Sequence, residues 1–242
     1  MLMDNTKRVC LWSGPRNIST ALMYSFAQRK DTVVFDEPLY AHFLSQSEAR
    51  EYHPGADDIL AQMENDGEKV IEMMMSNHAK PVLFFKNMTH HLLGLNLNFM
   101  KDCIHIILTR NPVEMLPSFS KVIENPTMDD VGYEAHLKLI KYLSAIDIKP
   151  IIVDSKDILR DPETMLNKIC DLIGIPFDEN MLEWDMGPIK EDGIWAKYWY
   201  STVHKSTKFS TYNKVIEPIP DPLKALLETS LTCYKVLQKM AI

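Results

Sequence analysis

Short apolar runs alternating with amphipathic segments predict an α/β fold: one domain over residues 1–242, a three-layer sandwich around a central parallel sheet of about five strands. Three observations carry this. Residues 81–85 and 104–108 are apolar almost without interruption, as in strands buried on both faces of a parallel sheet. Segments between such runs place apolar residues at helical spacing. No Gly/Ser/Pro-rich linker divides the 242 residues, a length that suits one large core.

The first strand is Val9-Cys10-Leu11-Trp12, and a helix runs through Met23 and Phe26. Between them stands Ser13-Gly14-Pro15-Arg16-Asn17-Ile18-Ser19-Thr20. Unpaired N–H groups and the positive end of the dipole at a helix start can hold an anion, and Arg16, Ser19 and Thr20 add a charge and hydroxyl donors. The same residues also fit a plain strand-to-helix turn, with Asn17 or Ser19 as the cap. The segment lacks the Gly-Lys-Ser/Thr ending of a Walker A loop.

Thr32-Val33-Val34-Phe35 forms the second strand and ends in Asp36-Glu37-Pro38-Leu39-Tyr40. Acids at a strand's carboxyl end sit where open α/β sheets put ligands, so Asp36, Glu37 and Tyr40 are candidates for substrate contact, with a solvated loop as the equal alternative. Helices follow over 57–63 and 69–75, broken near Asp66-Gly67. The strand at 81–85 delivers Lys86-Asn87-Met88-Thr89-His90-His91. Lys86 is suited to neutralising a leaving oxygen, and one of His90 and His91 to taking a proton. No cysteine or acid lies at metal-ligand spacing from this pair.

The strand at 104–109 brings Arg110, followed by Asn111 as N-cap, Pro112 as first helical residue and Glu114 as capping-box partner. Pro117 predicts an irregular helix start, with Ser118 next to it. Arg110 fits either a surface ion pair or bidentate phosphate binding. A crossover helix over 133–146, with Leu137, Ile140 and Leu143 apolar, leads to a strand at 150–154. Asp161-Pro162 opens a helix whose apolar face is Met165, Ile169, Leu172 and Ile173, closed by Gly174. Residues 195–209 are aromatic, basic and hydroxyl-rich without a clean period, a makeup that suits a lid or ligand wall. Asp221-Pro222 begins a final amphipathic helix.

The formal net charge of −7 gives the surface no general attraction for nucleic acid or anionic lipid. Neither a membrane-length apolar run nor a signal-peptide core is present, so a cytoplasmic location is expected, with a small-molecule acceptor as partner and no nucleic acid or membrane. The four cysteines are widely spaced, as reduced core thiols are.

Taken together, Arg16 in the first loop, Arg110 after a middle strand and a basic C-terminal loop resemble the sulfotransferases that use 3′-phosphoadenosine 5′-phosphosulfate (PAPS). The loop from Ser13 to Thr20 is similar to that family's 5′-phosphosulfate loop, with Gly14, Pro15, Arg16, Asn17, Ser19 and Thr20 as contacts and Arg16 where many members have Lys. Arg110 and Ser118, eight apart, match the Arg and Ser that hold the 3′-phosphate. The stretch from Asp154 through Asp161-Pro162 is similar to the family's strand-loop-helix. His204-Lys205-Ser206 looks like a degenerate form of the C-terminal 3′-phosphate loop. Lys86 and His90 are four apart where many members have Lys and His two apart.

The resemblance implies a P-loop-like fold and PAPS as co-substrate, with 3′-phosphoadenosine 5′-phosphate (PAP) as product. It implies in-line transfer of a sulfonate group to a hydroxyl or amine, His90 or His91 as base, Arg16 and Lys86 as charge stabilisers, and no required metal. The Ser-Gly-Pro-Arg opening and Asp36-Glu37-Pro38 resemble a small soluble branch often labelled aminotransferase-like, without features of pyridoxal phosphate chemistry. Two rival functions remain: a P-loop small-molecule kinase using Mg-ATP, and a non-catalytic nucleotide-binding protein on the same fold.

Overall fold

The structure is a computed structural model that describes residues 6–213 and 217–242. Strands β1 (Lys7–Ser13), β2 (Thr32–Asp36), β3 (Val82–Met88), β4 (Ile104–Thr109) and β5 (Ile151–Asp154) form one parallel sheet in the order β2-β3-β1-β4-β5. Helices α1 (Ser19–Ala27), α2 (Tyr40–Gln46), α3 (Ala56–Gln62) and α4 (Gly67–Met75) precede β3. Helices α5 (Pro112–Phe119), α6 (Met128–Val131) and α7 (Tyr133–Ala145) join β4 to β5. After β5 come α8 (Ser155–Arg160), α9 (Pro162–Ile173), α10 (Ala196–Trp199) and α11 (Lys224–Met240).

Successive side chains on a strand face opposite ways, and the core divides accordingly. Val9, Leu11, Phe84 and Leu108 pack with Leu22 and Phe26 of α1 and Leu166 and Ile169 of α9. Cys10, Trp12, Phe85 and Ile107 pack on the other face with Met74 of α4, Leu143 of α7 and Leu237 of α11. Helix, sheet and helix make the three layers. Each such side chain, buried on both strand faces, contributes about 1.5–3 kcal/mol by leaving water. The four cysteines are buried and unpaired.

Several local expectations change under tertiary packing. Helix α1 is preceded by Ile18 in the left-handed region (φ 66°) with no side-chain cap, so neither Asn17 nor Ser19 caps it. Asn17 instead spans two strand ends: its Nδ2 donates to the Leu108 carbonyl at 2.8 Å, and its Oδ1 accepts from Ser13 Oγ at 3.0 Å. Asn111 caps α5 through Val113 N–H, but Glu114 turns away to accept from Tyr212 and to face Arg110. Pro117 lies inside α5 rather than disturbing its start. Leu172, counted on the apolar face of α9, is 51% exposed; Leu166 and Cys170 are buried there.

Because every strand is parallel, the loops after β1, β2, β3 and β4 meet at one sheet edge. β1 is central, so its loop stands between the ends of β3 and β4.

Candidate active site

Gly14 begins the β1–α1 loop because the chain passes too close for a side chain: a Cβ there would lie 2.8 Å from the Val131 carbonyl oxygen. Arg16 and Ile18 both hold positive φ, at 54° and 66°. Backbone bent this way turns successive N–H groups toward one side, the geometry of an anion nest. The first turn of α1 contains no acid, and no side chain caps it. Its orphan donors and dipole therefore face whatever fills the space beyond.

Two guanidinium groups converge there. Arg16 donates from Nε to Ser118 Oγ at 3.0 Å and from Nη1 to the Trp199 carbonyl at 3.1 Å. Arg110 donates from Nη1 to the Arg16 carbonyl at 2.7 Å, while its buried Nε has no hydrogen-bond partner among the described residues. Glu114 is 3.7 Å from that nitrogen. Burial, then the charge of Arg110, lowers the affinity of Arg16 for its own proton. The two cations repel each other, and Glu114 offsets the charge of Arg110 only.

At the other side of the loop, Lys86 is 1% exposed and distributes its donors among Asp36 Oδ1 (2.9 Å), Tyr200 Oη (2.7 Å) and Glu37. Burial alone would push this ammonium down, but Asp36 and Glu37 outweigh it and hold its pKa above the usual value. Burial raises the Glu37 carboxyl despite the pull of Lys86. Glu37 is kept there by a backbone turn with φ 41°. Tyr200 donates to Asp36 and accepts from Trp195 Nε1 at 3.0 Å, and Gly193 N–H reaches Asp36 Oδ2 at 2.9 Å. This polar knot ties the C-terminal segment over the ends of β2 and β3.

His90 and His91 follow β3 in a single 3₁₀ turn, Thr89–Leu92. His91 is 1% exposed and stacks between Tyr40 and Phe43, each 4.9 Å away. Burial lowers the His90 pKa to about 3 and that of His91 well below its ordinary value, so both rings are neutral at physiological pH.

These groups share one cleft of about 230 Å³. Of the residues singled out in the sequence, Pro15, Arg16, Asn17, Ser19, Thr20, Glu37, Tyr40, Lys86, His90, His91, Arg110, Ser118 and Ser206 line it. Gly14 lines a small void behind the loop instead. Asp36 lies beneath the cleft wall with both oxygens engaged. His204 points to Asp192, 2.9 Å from Nε2, and neither it nor the exposed Lys205 lines the cleft; Lys208 does. The methionine run of α4 lies in the core, with Met74 fully buried.

Two lining residues carry no signal at sequence level. His53 lines the cleft, and its Nδ1 shares a hydrogen bond with Tyr40 Oη at 2.8 Å. Its Nε2 lies 4.0 Å from Asp130, and burial lowers its pKa to about 4. Asp130 completes a capping box with Thr127 and accepts from Tyr52 Oη at 2.8 Å. The Thr127-x-x-Asp130 spacing marks that cap, but nothing in it places the carboxylate in a cleft.

A family model of the sulfotransferase domain matches residues 7–241 of this chain. The chain belongs to the sulfotransferase-domain family. Two proteins of Arabidopsis thaliana, branched-chain-amino-acid aminotransferase-like proteins 2 and 1, are each 42% identical to this chain over 229 residues, or 94% of it. The chain spans 40% and 41% of the lengths of those two relatives. The sulfotransferase domain of the curacin biosynthetic pathway aligns with a TM-score of 0.56 at 15% identity, covering 95% of this chain and 98% of that one. The sulfotransferase from Alicyclobacillus acidocaldarius gives 0.57 at 12% identity, covering 98% and 97%. The domain from the Synechococcus PCC 7002 olefin synthase gives 0.55 at 16%, covering 93% and 94%. These likenesses establish a shared fold. Among the described residues, no helix is long and apolar enough to cross a membrane.

Proposed function

We propose that this sulfotransferase moves a sulfonate group from PAPS to a hydroxyl or amine of a small-molecule acceptor. The observation that carries the proposal is the convergence of Arg16 and Arg110 on the uncapped start of α1, in the same cleft as Lys86, His90 and His91. The site fits the donor: the buried Arg110 Nε has no hydrogen-bond partner among the described residues, Glu114 standing off at 3.7 Å, and the Arg16–Arg110 repulsion is relieved by an anion.

In this reading the loop N–H groups, Ser19 and Thr20 hold the 5′-phosphosulfate, and Arg110, Ser118 and Ser206 hold the 3′-phosphate. When bound, PAPS supplies an activated sulfonate whose leaving group is a nucleotide phosphate. Arg16 and the α1 N-terminus stabilise negative charge as it shifts onto that phosphate. A neutral imidazole of His90 or His91 accepts the proton of the acceptor. Lys86 already spends its donors on Asp36, Glu37 and Tyr200, so contact with a leaving oxygen requires exchanging one of them.

A second reading of the base rests on Glu37. Its carboxyl is raised by burial while the two histidines are lowered, which makes it the stronger proton acceptor of the three relative to its type. Turnover and PAP binding in His90→Ala, His91→Ala and Glu37→Gln separate the two. The true base loses about 10²–10⁴ in rate with binding retained. Full activity in both histidine variants removes histidine from the mechanism.

The donor is tested by calorimetric titration with PAP, adenosine 5′-phosphate, and ATP with and without Mg²⁺. Metal-independent binding of PAP that weakens when the 3′-phosphate is absent supports the proposal. Preference for Mg-ATP overturns it in favour of a kinase, and binding of none reduces the β1–α1 loop to a turn.

A further inference from the structure

The sheet order separates charge along the cleft. Arg16 and Arg110 belong to the loops after β1 and β4, and the acids Asp36 and Glu37 to the end of β2 at the opposite edge. On that side the single cation Lys86 is shared between two acids. Asp130 adds another. It is 3% exposed, lines the cleft, and has only neutral donors on it: Thr127 N–H and Oγ1, and Tyr52 Oη.

The histidines do not offset this charge. His53, His90 and His91 are all held neutral by burial. The His53 side chain is 8% exposed, and its Nε2, 4.0 Å from Asp130, has no hydrogen-bond partner among the described residues. Aromatic rings complete this side: Tyr40 and Trp199 both line the cleft and lie against His53. A wall of a carboxylate without a cationic partner among the described residues, neutral imidazole and aromatic rings attracts a cation electrostatically and through the ring quadrupoles.

We infer that the acceptor is a small alcohol carrying a separate, permanently charged nitrogen, with its ammonium on the Asp130–His53–Tyr40 side and its hydroxyl toward the β1–α1 loop. This rests on the sulfonate-transfer reading above and narrows its acceptor. A charged amine is not itself the nucleophile, because it has no free electron pair. The hydroxyl gives its proton to the base and forms the new O–S bond as the S–O bond to the departing nucleotide phosphate breaks. An anionic acceptor seated on that side would meet the Asp130 carboxylate.

The test uses three probes: choline, its uncharged carbon isostere 3,3-dimethylbutan-1-ol, and glycolate. Each is titrated calorimetrically with and without PAP, and each is offered as acceptor with labelled PAPS. Choline should bind about tenfold or more tighter than the isostere, with the gap shrinking as salt rises. Asp130→Asn, which keeps an oxygen acceptor for Thr127 and turns its amide NH2 toward the Tyr52 hydroxyl, should narrow that gap severalfold. If that variant fails to fold, the wild-type preference and its salt dependence decide alone. Equal binding of the pair, tighter binding of glycolate, or no binding of choline overturns the inference. Cation preference without PAP binding keeps a cation site but removes the donor reading and the acceptor role with it; PAP binding without cation preference overturns the inference and keeps the donor.

Discussion

Arg110 donates from Nη1 to the main-chain carbonyl of Arg16 at 2.7 Å, tying the end of β4 to the loop after β1. The bond makes Arg110 both a charge in the cleft and a brace for the residue that holds φ at 54°. Arg110→Ala should raise the KM for PAPS about 10- to 100-fold, the worth of one or two charged hydrogen bonds, with a smaller fall in kcat. Steady-state kinetics check this. A fall confined to kcat would put Arg110 at the reacting sulfur. Arg16→Ala should damage both constants.

Lys86→Met leaves Asp36 and Glu37 buried without their counter-charge. The loss should be about 3–5 kcal/mol of unfolding free energy, measured by urea denaturation. Adding Asp36→Asn and Glu37→Gln should restore part of it. An unchanged midpoint in the single variant would mean that the ion pairs do not hold the strand ends.

Gly14→Ala forces a methyl group to within 2.8 Å of the Val131 carbonyl, a backbone atom that cannot swing away. The variant should lose about 1–3 kcal/mol and bind PAP more weakly, because the loop must shift to make room. Equal affinity and equal Tm would show that the approach is looser than this structure has it.

Acid should destabilise the fold through its buried imidazoles. His136 is 1% exposed, and burial, opposed by the Ser13 backbone, holds its pKa at about 4; His53 is likewise held at about 4. Unfolded imidazole takes its proton near pH 6.5. Above that value both states are neutral and stability is complete. As pH falls from about 6.5 to about 4 the unfolded chain binds protons that the folded one refuses, and each group removes up to about 1.4 kcal/mol per pH unit. Urea titrations at pH 7.5 and 5 measure the drop, and His136→Leu should make it shallower. An equal slope in the variant would assign the acid limb to other groups.

Much of the framework was legible from local rules. The apolar runs around Val9, Phe84, Ile107 and Ile152 became buried parallel strands because a strand covered on both faces tolerates no polar alternation. Asp161-Pro162 and Gly174 marked the limits of α9 through capping chemistry that involves only near neighbours. Asn17 escaped those rules because its side chain finds Leu108, 91 residues away, and a long-range hydrogen bond overrides a local cap.

The sequence by itself determined the sheet, the positions of the strand ends and the chemical kinds placed on them, since periodicity, glycine and proline act over a few residues. It could not determine which of those ends share a cleft. That His53 and Asp130 stand 4.0 Å apart there, that Lys208 lines it while His204 turns to Asp192, and that Lys86 is already committed to two acids follow from strand order and from burial. Both arise only when segments far apart in the chain exclude water together.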